Sequence, residues 1–202
     1  KRHVVLLPGH NFTTKYDPLR RPTETRIKGG DGPAPLDNVY EKIIYGEDQS
    51  LNGKTDQELN LRGKPFTHYD TAGKVGFEEY DFKGNLRKSR RWLAKNYKGT
   101  PDWGIVDPNS LLEPEDFPEE TEYDALNRPV AMITPDNSVI RPGYNEANLL
   151  ERVEANLRGQ TSANGQPMWT PFVTNIDYDA KGQRTGIHSG TRNGKGITTS
   201  YV

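Results

Sequence analysis

The chain contains no cysteine among its 202 residues. This absence excludes a disulfide-stapled scaffold, a cysteine-ligated zinc site and a thiol nucleophile. No apolar run reaches a membrane-spanning length, and the run from Val4 to Leu7 is too short even for a signal peptide. Neither charge sign dominates, because 27 basic residues face 28 acidic ones. We therefore expect no field that draws nucleic acid or an anionic membrane, and neither is predicted as a partner.

Apolar residues are also scarce, at 32% of the sequence, so a thick conventional core is not expected. Twenty glycines and 15 prolines favour many turns over long helices. Ten tyrosines stand against two methionines. Because a tyrosine ring can cover a sheet while its hydroxyl stays in water, the sequence predicts burial by tyrosine on broad β-surfaces.

A short phrase recurs six times: tyrosine, then Asp or Asn, two free positions, and usually Gly or Asn. Asp and Asn side chains bond forward to backbone amides and start turns. Gly and Asn tolerate the left-handed backbone that closes a hairpin with a bulge, and tyrosine favours the strand before it. The predicted turn residues are Tyr16, Asp17, Tyr69, Asp70, Gly73, Tyr80, Asp81, Gly84, Tyr123, Asp124, Asn127, Tyr144, Asn145, Asn148, Tyr178, Asp179 and Gly182.

The spacing of these phrases predicts a mainly all-β fold of repeated antiparallel hairpins, with at most one or two short helices. Leucines and Val153 between residues 149 and 157 have helical spacing, but the turn phrase before them favours a strand. The segment Arg87 to Tyr97 is the best candidate for a helix. Proline-rich or polar stretches predict long loops near residues 28–36, 99–122 and 159–171.

The ordered series of phrases resembles RHS/YD-repeat proteins, and is most similar to the shell-forming B and C components of bacterial insecticidal toxin complexes. The segments that carry the resemblance are 59–65, 68–73, 80–86, 123–129 and 176–184, within a span from about Tyr16 to Tyr201. The chain departs from that family in lacking the Asp-Pro-x-Gly autoproteolysis signature, and this segment is expected to carry no toxic domain.

The resemblance implies a β-sheet that spirals into a hollow shell around a toxic polypeptide and helps to deliver it. Residues 1–202 would then form a single segment of a larger shell, secreted or extracellular as part of a toxin complex. Its partners would be other toxin-complex subunits or the rest of its own shell, together with the enclosed polypeptide. No cofactor, metal or membrane contact is expected of this segment.

Catalytic motifs are not evident, and the chain is expected not to be an enzyme. His188 lies beside Ser189, but adjacent side chains in a strand point to opposite faces. A second class of function is a secreted carbohydrate- or protein-binding β module, in which exposed Trp92, Trp103 and Trp169 stack on sugars. A third is a carboxylate-based hydrolase. Its candidate acids are Glu113, Glu115, Asp116, Glu119, Glu120 and Glu122.

One dense basic run interrupts the charge balance. A solvated strand or helix face is the favoured interpretation of such a run, with a polyanion site as the alternative. Its members are Arg87, Lys88, Arg90, Arg91, Lys95 and Lys98.

Overall fold

The computed structural model describes residues 4–7, 9–30, 34–190 and 196–201, and almost all of its regular structure is β-strand. The chain divides into two compact units, Lys1–Pro118 and Glu119–Val202. Helical structure in the described part consists of two short 3-10 turns, Pro108–Leu111 and Leu157–Gly159. The predicted all-β class with repeated antiparallel hairpins is confirmed.

The first unit is a meander in which each strand of the main sheet pairs with the next strand of that sheet along the chain. Its strands are β1 (Val4–Leu7), β2 (His10–Tyr16), β3 (Pro22–Gly29), β4 (Leu36–Tyr45), β5 (Ser50–Leu51), β6 (Lys54–Thr55), β7 (Pro65–Asp70), β8 (Gly73–Tyr80) and β9 (Leu86–Ala94). Strands β5 and β6 form a separate hairpin inside the connection between β4 and β7. These strand pairs are antiparallel, as short hairpin connections require.

Strand β10 (Leu112–Tyr123) contributes residues to both units. The second unit continues with β11 (Pro129–Ile133), β12 (Val139–Tyr144), β13 (Leu150–Asn156), β14 (Thr170–Tyr178), β15 (Arg184–Ser189) and β16 (Thr198–Ser200). These strands also pair consecutively and antiparallel. The strand predicted from the repeat, rather than a helix, after Asn148 is confirmed by β13.

The helix expected from Arg87 to Tyr97 is wrong, because Leu86–Ala94 forms strand β9. Trp92 lies opposite Lys74 and Arg90 lies opposite Gly76, so alternate residues share a face. Cross-strand partners on β8 therefore override the local helical spacing, as tertiary packing commonly does.

The long loop expected over residues 99–122 is half correct. Its second part is β10, which begins at Leu112 and includes Pro114 and Pro118. The register with β11 begins at Glu120, so in the described part of the chain the earlier residues have no partner on that side. A proline in a stretch without a strand partner on one side can be accommodated without loss of a ladder hydrogen bond on that side. Of the loop expected at 28–36, residues 31–33 lie outside the described residues.

Trp103 anchors the larger of two small cores in the first unit. Its side chain is 0% exposed and packs with Val39, Tyr69 and Leu112. Its indole Nε1 donates to the backbone oxygen of Asp70 at 3.0 Å. The loop before β10 is thus fastened over the sheet by one aromatic side chain whose polar atom is satisfied.

We expect Trp103→Ala to destabilise the chain by about 3–5 kcal/mol, because it leaves a cavity and an unpaired carbonyl. Urea unfolding followed by circular dichroism measures the change. Val106→Ala is the matched control, since Val106 in the same loop is fully exposed. Equal unfolding midpoints for the two variants would contradict the anchoring role.

Candidate functional site

The turn after Tyr123 shows how the recurring phrase acts. The Asp124 amide donates to the Arg128 oxygen at 3.0 Å, and the Asn127 amide donates to the Asp124 oxygen at 3.1 Å. The Asp124 carboxylate accepts from the amides of Leu126 and Arg128 at 2.8 and 3.0 Å. Asn127 has φ +62°, the left-handed conformation that makes the bulge of a three-residue hairpin.

Four other phrases form the same turn. In each, the first polar residue bonds to the backbone four positions later, and the residue three positions later has positive φ. The pairs are Asp17 with Arg20, Asp81 with Gly84, Asn145 with Asn148, and Asp179 with Gly182. Arg20 takes the left-handed position, at φ +64°, where the phrase usually has Gly or Asn.

The phrase at Tyr69 makes a different turn. Asp70 pairs directly with Gly73 across a two-residue loop, and the Ala72 amide donates to the Asp70 carboxylate at 2.8 Å. A Cβ on Gly73 would lie 2.0 Å from the Trp92 oxygen, and its φ is +143°. Glycine is required there because the β9 backbone passes close by, whereas Gly84 and Gly182 supply the left-handed bulge residue, a position that Arg20, Asn127 and Asn148 fill in the other phrases.

In each unit, alternate hairpins turn at the same ends of the strands. We call this side of the sheet, where the turns lie, the tyrosine edge. In the first unit it carries the connections after Tyr16, Tyr45 and Tyr80, and in the second those after Tyr123, Tyr144 and Tyr178. The turn of Tyr69 lies at the opposite edge. Five of the six predicted phrases therefore share an edge within their own unit.

Along the tyrosine edge, tyrosine hydroxyls connect successive hairpins. The Tyr144 hydroxyl donates at 3.0 Å to the oxygen of Pro129, the residue that pairs with Tyr123. The Tyr178 hydroxyl donates at 2.6 Å to the oxygen of Leu150, which pairs with Tyr144. Each tyrosine thus ties its own hairpin to the previous one.

The first unit repeats this contact. Tyr45 donates to the Pro22 oxygen and Tyr80 to the Pro65 oxygen, both at 3.2 Å. Burial raises the pKa of Tyr80 to about 12, so its hydroxyl remains a proton donor. The sequence analysis missed Tyr45, because an insertion at residues 46–64 replaces the Asp-x-x-Gly signal after it. The available signal was a tyrosine at the end of a β-favouring segment, Val39–Tyr45.

Arginine adds a second link between hairpins in the first unit. Arg21 donates to the Asp17 carboxylate of its own turn at 2.7 Å and to Glu47 of the next connection at 2.8 Å. Its guanidinium also lies 3.9 Å from the centroid of the Tyr45 ring. The hydrogen bond with Glu47 is the main cause that raises the pKa of Arg21, so this link is cationic at every physiological pH.

Arg128 repeats the arrangement in the second unit. It donates to the Asp124 carboxylate at 2.7 Å and to the Asn148 side-chain oxygen at 2.7 Å. Its guanidinium lies 4.5 Å from the centroid of the Tyr144 ring. The cation before the outgoing proline is therefore a recurrent part of the edge, with one partner in its own turn and one in the next.

The three tryptophans do not form an exposed sugar platform. Trp103 is fully buried, so its assignment as an exposed stacking residue is wrong. Trp92 lies under Lys74, with the ammonium 3.9 Å from the ring centroid, and Trp169 lies under Arg141 at 3.8 Å. Their faces are occupied by cations of the chain itself.

The acidic candidates for hydrolysis lie along β10, where successive side chains alternate between faces. Glu119 and Glu120 are adjacent and therefore cannot converge on one bond as an acid and base pair. Within the described residues, no three His, Asp or Glu side chains are grouped to hold a metal ion.

His188 contacts residues other than Ser189. Its Nε2 lies 2.6 Å from the Asp177 carboxylate, and its Nδ1 lies 3.2 Å from the Thr198 hydroxyl. The Asn175 amide orients the same carboxylate at 2.7 Å. This row crosses β14, β15 and β16 on an exposed surface, and it ties the short strand β16 to its neighbours.

The basic run lies largely on β9 and is paired with acidic residues. Arg90 contacts Glu78 at 2.8 Å and Asp116 at 2.7 Å, while Arg91 binds both oxygens of Asp70. These ion pairs favour the interpretation as a strand face over a polyanion site.

In the part of the chain that the structure describes, no helix has the length and apolar character needed to cross a membrane.

Comparison with known proteins gives the same group that the phrases suggested. The chain is 27% identical over 172 residues to toxin subunit YenC2 of Yersinia entomophaga. The fold matches the crystal structure of TcdB2-TccC3-TEV, with a TM-score of 0.75 at 19% identity over 92% of this chain. It also matches the Photorhabdus luminescens Tc holotoxin pore, with a TM-score of 0.74 at 19% identity over 90%. No protein-family model matches the chain.

These similarities confirm the predicted resemblance to RHS/YD-repeat components of toxin complexes. They cover most of this chain, 81% for the curated relative, but only a small part of the relatives. The matched region spans 16% of toxin subunit YenC2 and 8% of each of the two solved chains.

We expect Tyr144→Phe to lower the free energy of unfolding by about 1 kcal/mol, because it removes one hydroxyl-to-carbonyl hydrogen bond and leaves the Pro129 oxygen unpaired. Thermal or urea unfolding measures the loss. Tyr97→Phe is the control, since Tyr97 is 80% exposed and its hydroxyl makes no hydrogen bond with the described residues. A loss of equal size in both variants would refute the tie between hairpins.

We expect the turn carboxylates to make stability fall in acid. The Arg128 amide, with help from the Arg128 side chain and the Leu126 amide, holds the pKa of Asp124 below its usual value of 3.8. Its contribution is therefore present above about pH 4 and is lost as the pH falls through the lowered pKa.

Asp124→Asn removes the carboxylate oxygen that accepts from the Arg128 guanidinium. It should flatten the dependence of unfolding on pH between about pH 5 and pH 2, since the amide oxygen still accepts from the Leu126 and Arg128 amides without titrating. Asn145 already does so in the next turn, accepting from Ala147 and Leu149 at 3.0 Å. Unfolding midpoints across this pH range provide the measurement, with exposed Glu146→Gln as the control. An unchanged pH profile for Asp124→Asn would contradict the assignment.

Proposed function

We propose that this chain is a structural wall segment of a toxin-complex shell, secreted as part of the complex, and that it performs no catalysis of its own. The observation that carries the proposal is the tyrosine edge, where in the described residues four of the six hairpins are bonded to the previous hairpin of that edge by the same tyrosine hydroxyl contact. Such neighbour-to-neighbour bonding extends a sheet indefinitely without needing a central core. The similarity to toxin subunit YenC2 and to Tc complexes supports this role.

The cargo in this proposal is a toxic polypeptide enclosed by the shell, and the partners are other toxin-complex subunits or further segments of the same shell. A sheet of this kind would keep proteases and water away from the polypeptide behind it. That role needs many strands to cover the area, and few reactive groups. The paired charges on β9 and the occupied tryptophan faces are consistent with a wall rather than a binding module.

A wall segment examined alone has a strand edge that a neighbouring segment would otherwise cover. Strand β16 is the last in the sheet order, and exposed Ile197 and Tyr201 flank it, at 68% and 46% exposure. Unpaired edges with apolar flanks template association with further strands.

We therefore expect the isolated chain to associate reversibly as its concentration rises, as measured by sedimentation velocity. Ile197→Lys should reduce this association, because a charge beside an edge strand opposes edge-to-edge pairing. Val106→Lys is the control, since Val106 is exposed but lies in the loop before β10. A monodisperse monomer at high concentration would contradict the open-edge wall.

A further inference from the structure

Lys64 occupies the cation position of the tyrosine edge. Like Arg21 and Arg128, it immediately precedes the proline that begins the outgoing strand, here Pro65. Its ammonium likewise lies over the next tyrosine of the edge, 5.0 Å from the centroid of the Tyr80 ring. The three residues are thus equivalent members of one repeat.

Both of the positions whose oxygens satisfy Arg128 carry glycine around Lys64. Gly46 follows Tyr45 where Asp17 follows Tyr16, and its amide makes the equivalent turn bond to the Lys64 oxygen at 2.9 Å. Gly84 stands four residues after Tyr80, as Asn148 stands four residues after Tyr144. Within the described residues, the Lys64 ammonium therefore has no hydrogen-bond acceptor and no ion pair, although the residue is half-buried.

The space beside Lys64 is a cleft of about 390 Å³. Its own carboxylates are already engaged: Asp56 accepts from Arg62 at 2.7 Å, and Asp81 accepts from two turn amides at 2.9 Å. At the rim, Phe82 exposes 85% of its surface. The cleft thus combines an unpaired ammonium with an exposed aromatic ring.

A Cβ on Gly84 would lie 2.7 Å from the Lys64 ammonium. Glycine at position 84 therefore leaves one side of the Lys64 ammonium open. At the equivalent position, Asn148 contacts Arg128 from that side. Because the equivalent cations bind side-chain oxygens of the polypeptide itself, the group that fits here is an oxygen acceptor from a second polypeptide.

We propose that this cleft binds the side-chain carboxylate of an acidic polypeptide segment, with Lys64 as the cation and Phe82 as the apolar contact beside it. The segment supplies from outside the oxygen that Asp17, Glu47 and Asn148 supply at the equivalent positions. The site does not depend on the shell role, since it needs only the folded first unit.

The probe is a fluorescein-labelled Leu-Glu-Leu-Glu-Leu peptide, titrated with the chain at low concentration and followed by fluorescence anisotropy. Its Leu-Gln-Leu-Gln-Leu counterpart tests the carboxylate without altering the protein. We expect saturable binding of the acidic peptide that weakens with salt, and at least about tenfold weaker binding of the amide peptide, as loss of a charge-assisted hydrogen bond predicts.

Three variants locate the site. Lys64→Gln should weaken binding about tenfold or more, and Gly84→Asn should do the same by supplying an internal acceptor like Asn148. Lys54→Gln removes the same charge from β6, away from the cleft, and should leave the affinity within about twofold. Circular dichroism checks that each variant is folded.

The proposal is overturned if the acidic peptide does not bind, if it binds the Lys64→Gln and Lys54→Gln variants equally, or if the amide peptide binds as well. Displacement of the peptide by inorganic phosphate at equal carboxylate and phosphate concentrations would overturn the choice of a polypeptide carboxylate. The peptide comparison uses the unaltered chain, so the test stands even where a variant fails to fold.

Discussion

The rest of the structure depends on one contact, the hydrogen bonds that the side-chain oxygen of the Asp or Asn after each edge tyrosine accepts from the backbone of its turn. In the turn of Asp179 it accepts from the amides of Lys181 and Gln183 at 2.8 Å, so two donors that face no strand are satisfied locally. This fixes a bulge, and the bulge shifts the register so that Tyr178 pairs with Arg184. This register positions Tyr178 so that its hydroxyl reaches the Leu150 oxygen of the preceding hairpin. A single polar atom thus determines both the local turn and the link to the neighbour.

The consequence is a sheet stabilised by repetition rather than by a thick interior. In the described part of the second unit, the buried apolar residues are Ala155 and Ile176. Hydrogen bonds between hairpins must therefore supply the stability that apolar burial does not, and each contributes only about 1 kcal/mol to the free energy of unfolding. Because the contacts repeat, their sum grows with the number of hairpins, which is the energetic behaviour of a repeat protein.

Much of this arrangement follows from sequence, because in five of the six phrases Asp or Asn and the left-handed residue after it form the predicted bulged hairpin. The phrase at Tyr69 forms a two-residue turn instead. What could not be predicted is which edge each turn occupies. Tyr69 carries the same phrase as Tyr80, yet strand order places it opposite. Conversely, Thr134 forms the same turn with Asn137 at φ +62° but lacks the tyrosine and the Asp. The backbone requires an oxygen acceptor and a tolerant left-handed residue, and several side chains meet that requirement.

Departures from the repeat are more informative about function than the repeat itself. A short turn like those after the other edge tyrosines would suffice to connect β4 with β7. The chain instead has residues 46–64 between these strands. Leu59 and Leu61 are buried against Tyr80, and the Tyr80 amide donates to the Leu59 oxygen at 3.0 Å. An insertion that only lengthened a loop would not need its own core. This core holds in place residues that line the cleft beside Lys64, as the proposed carboxylate site requires.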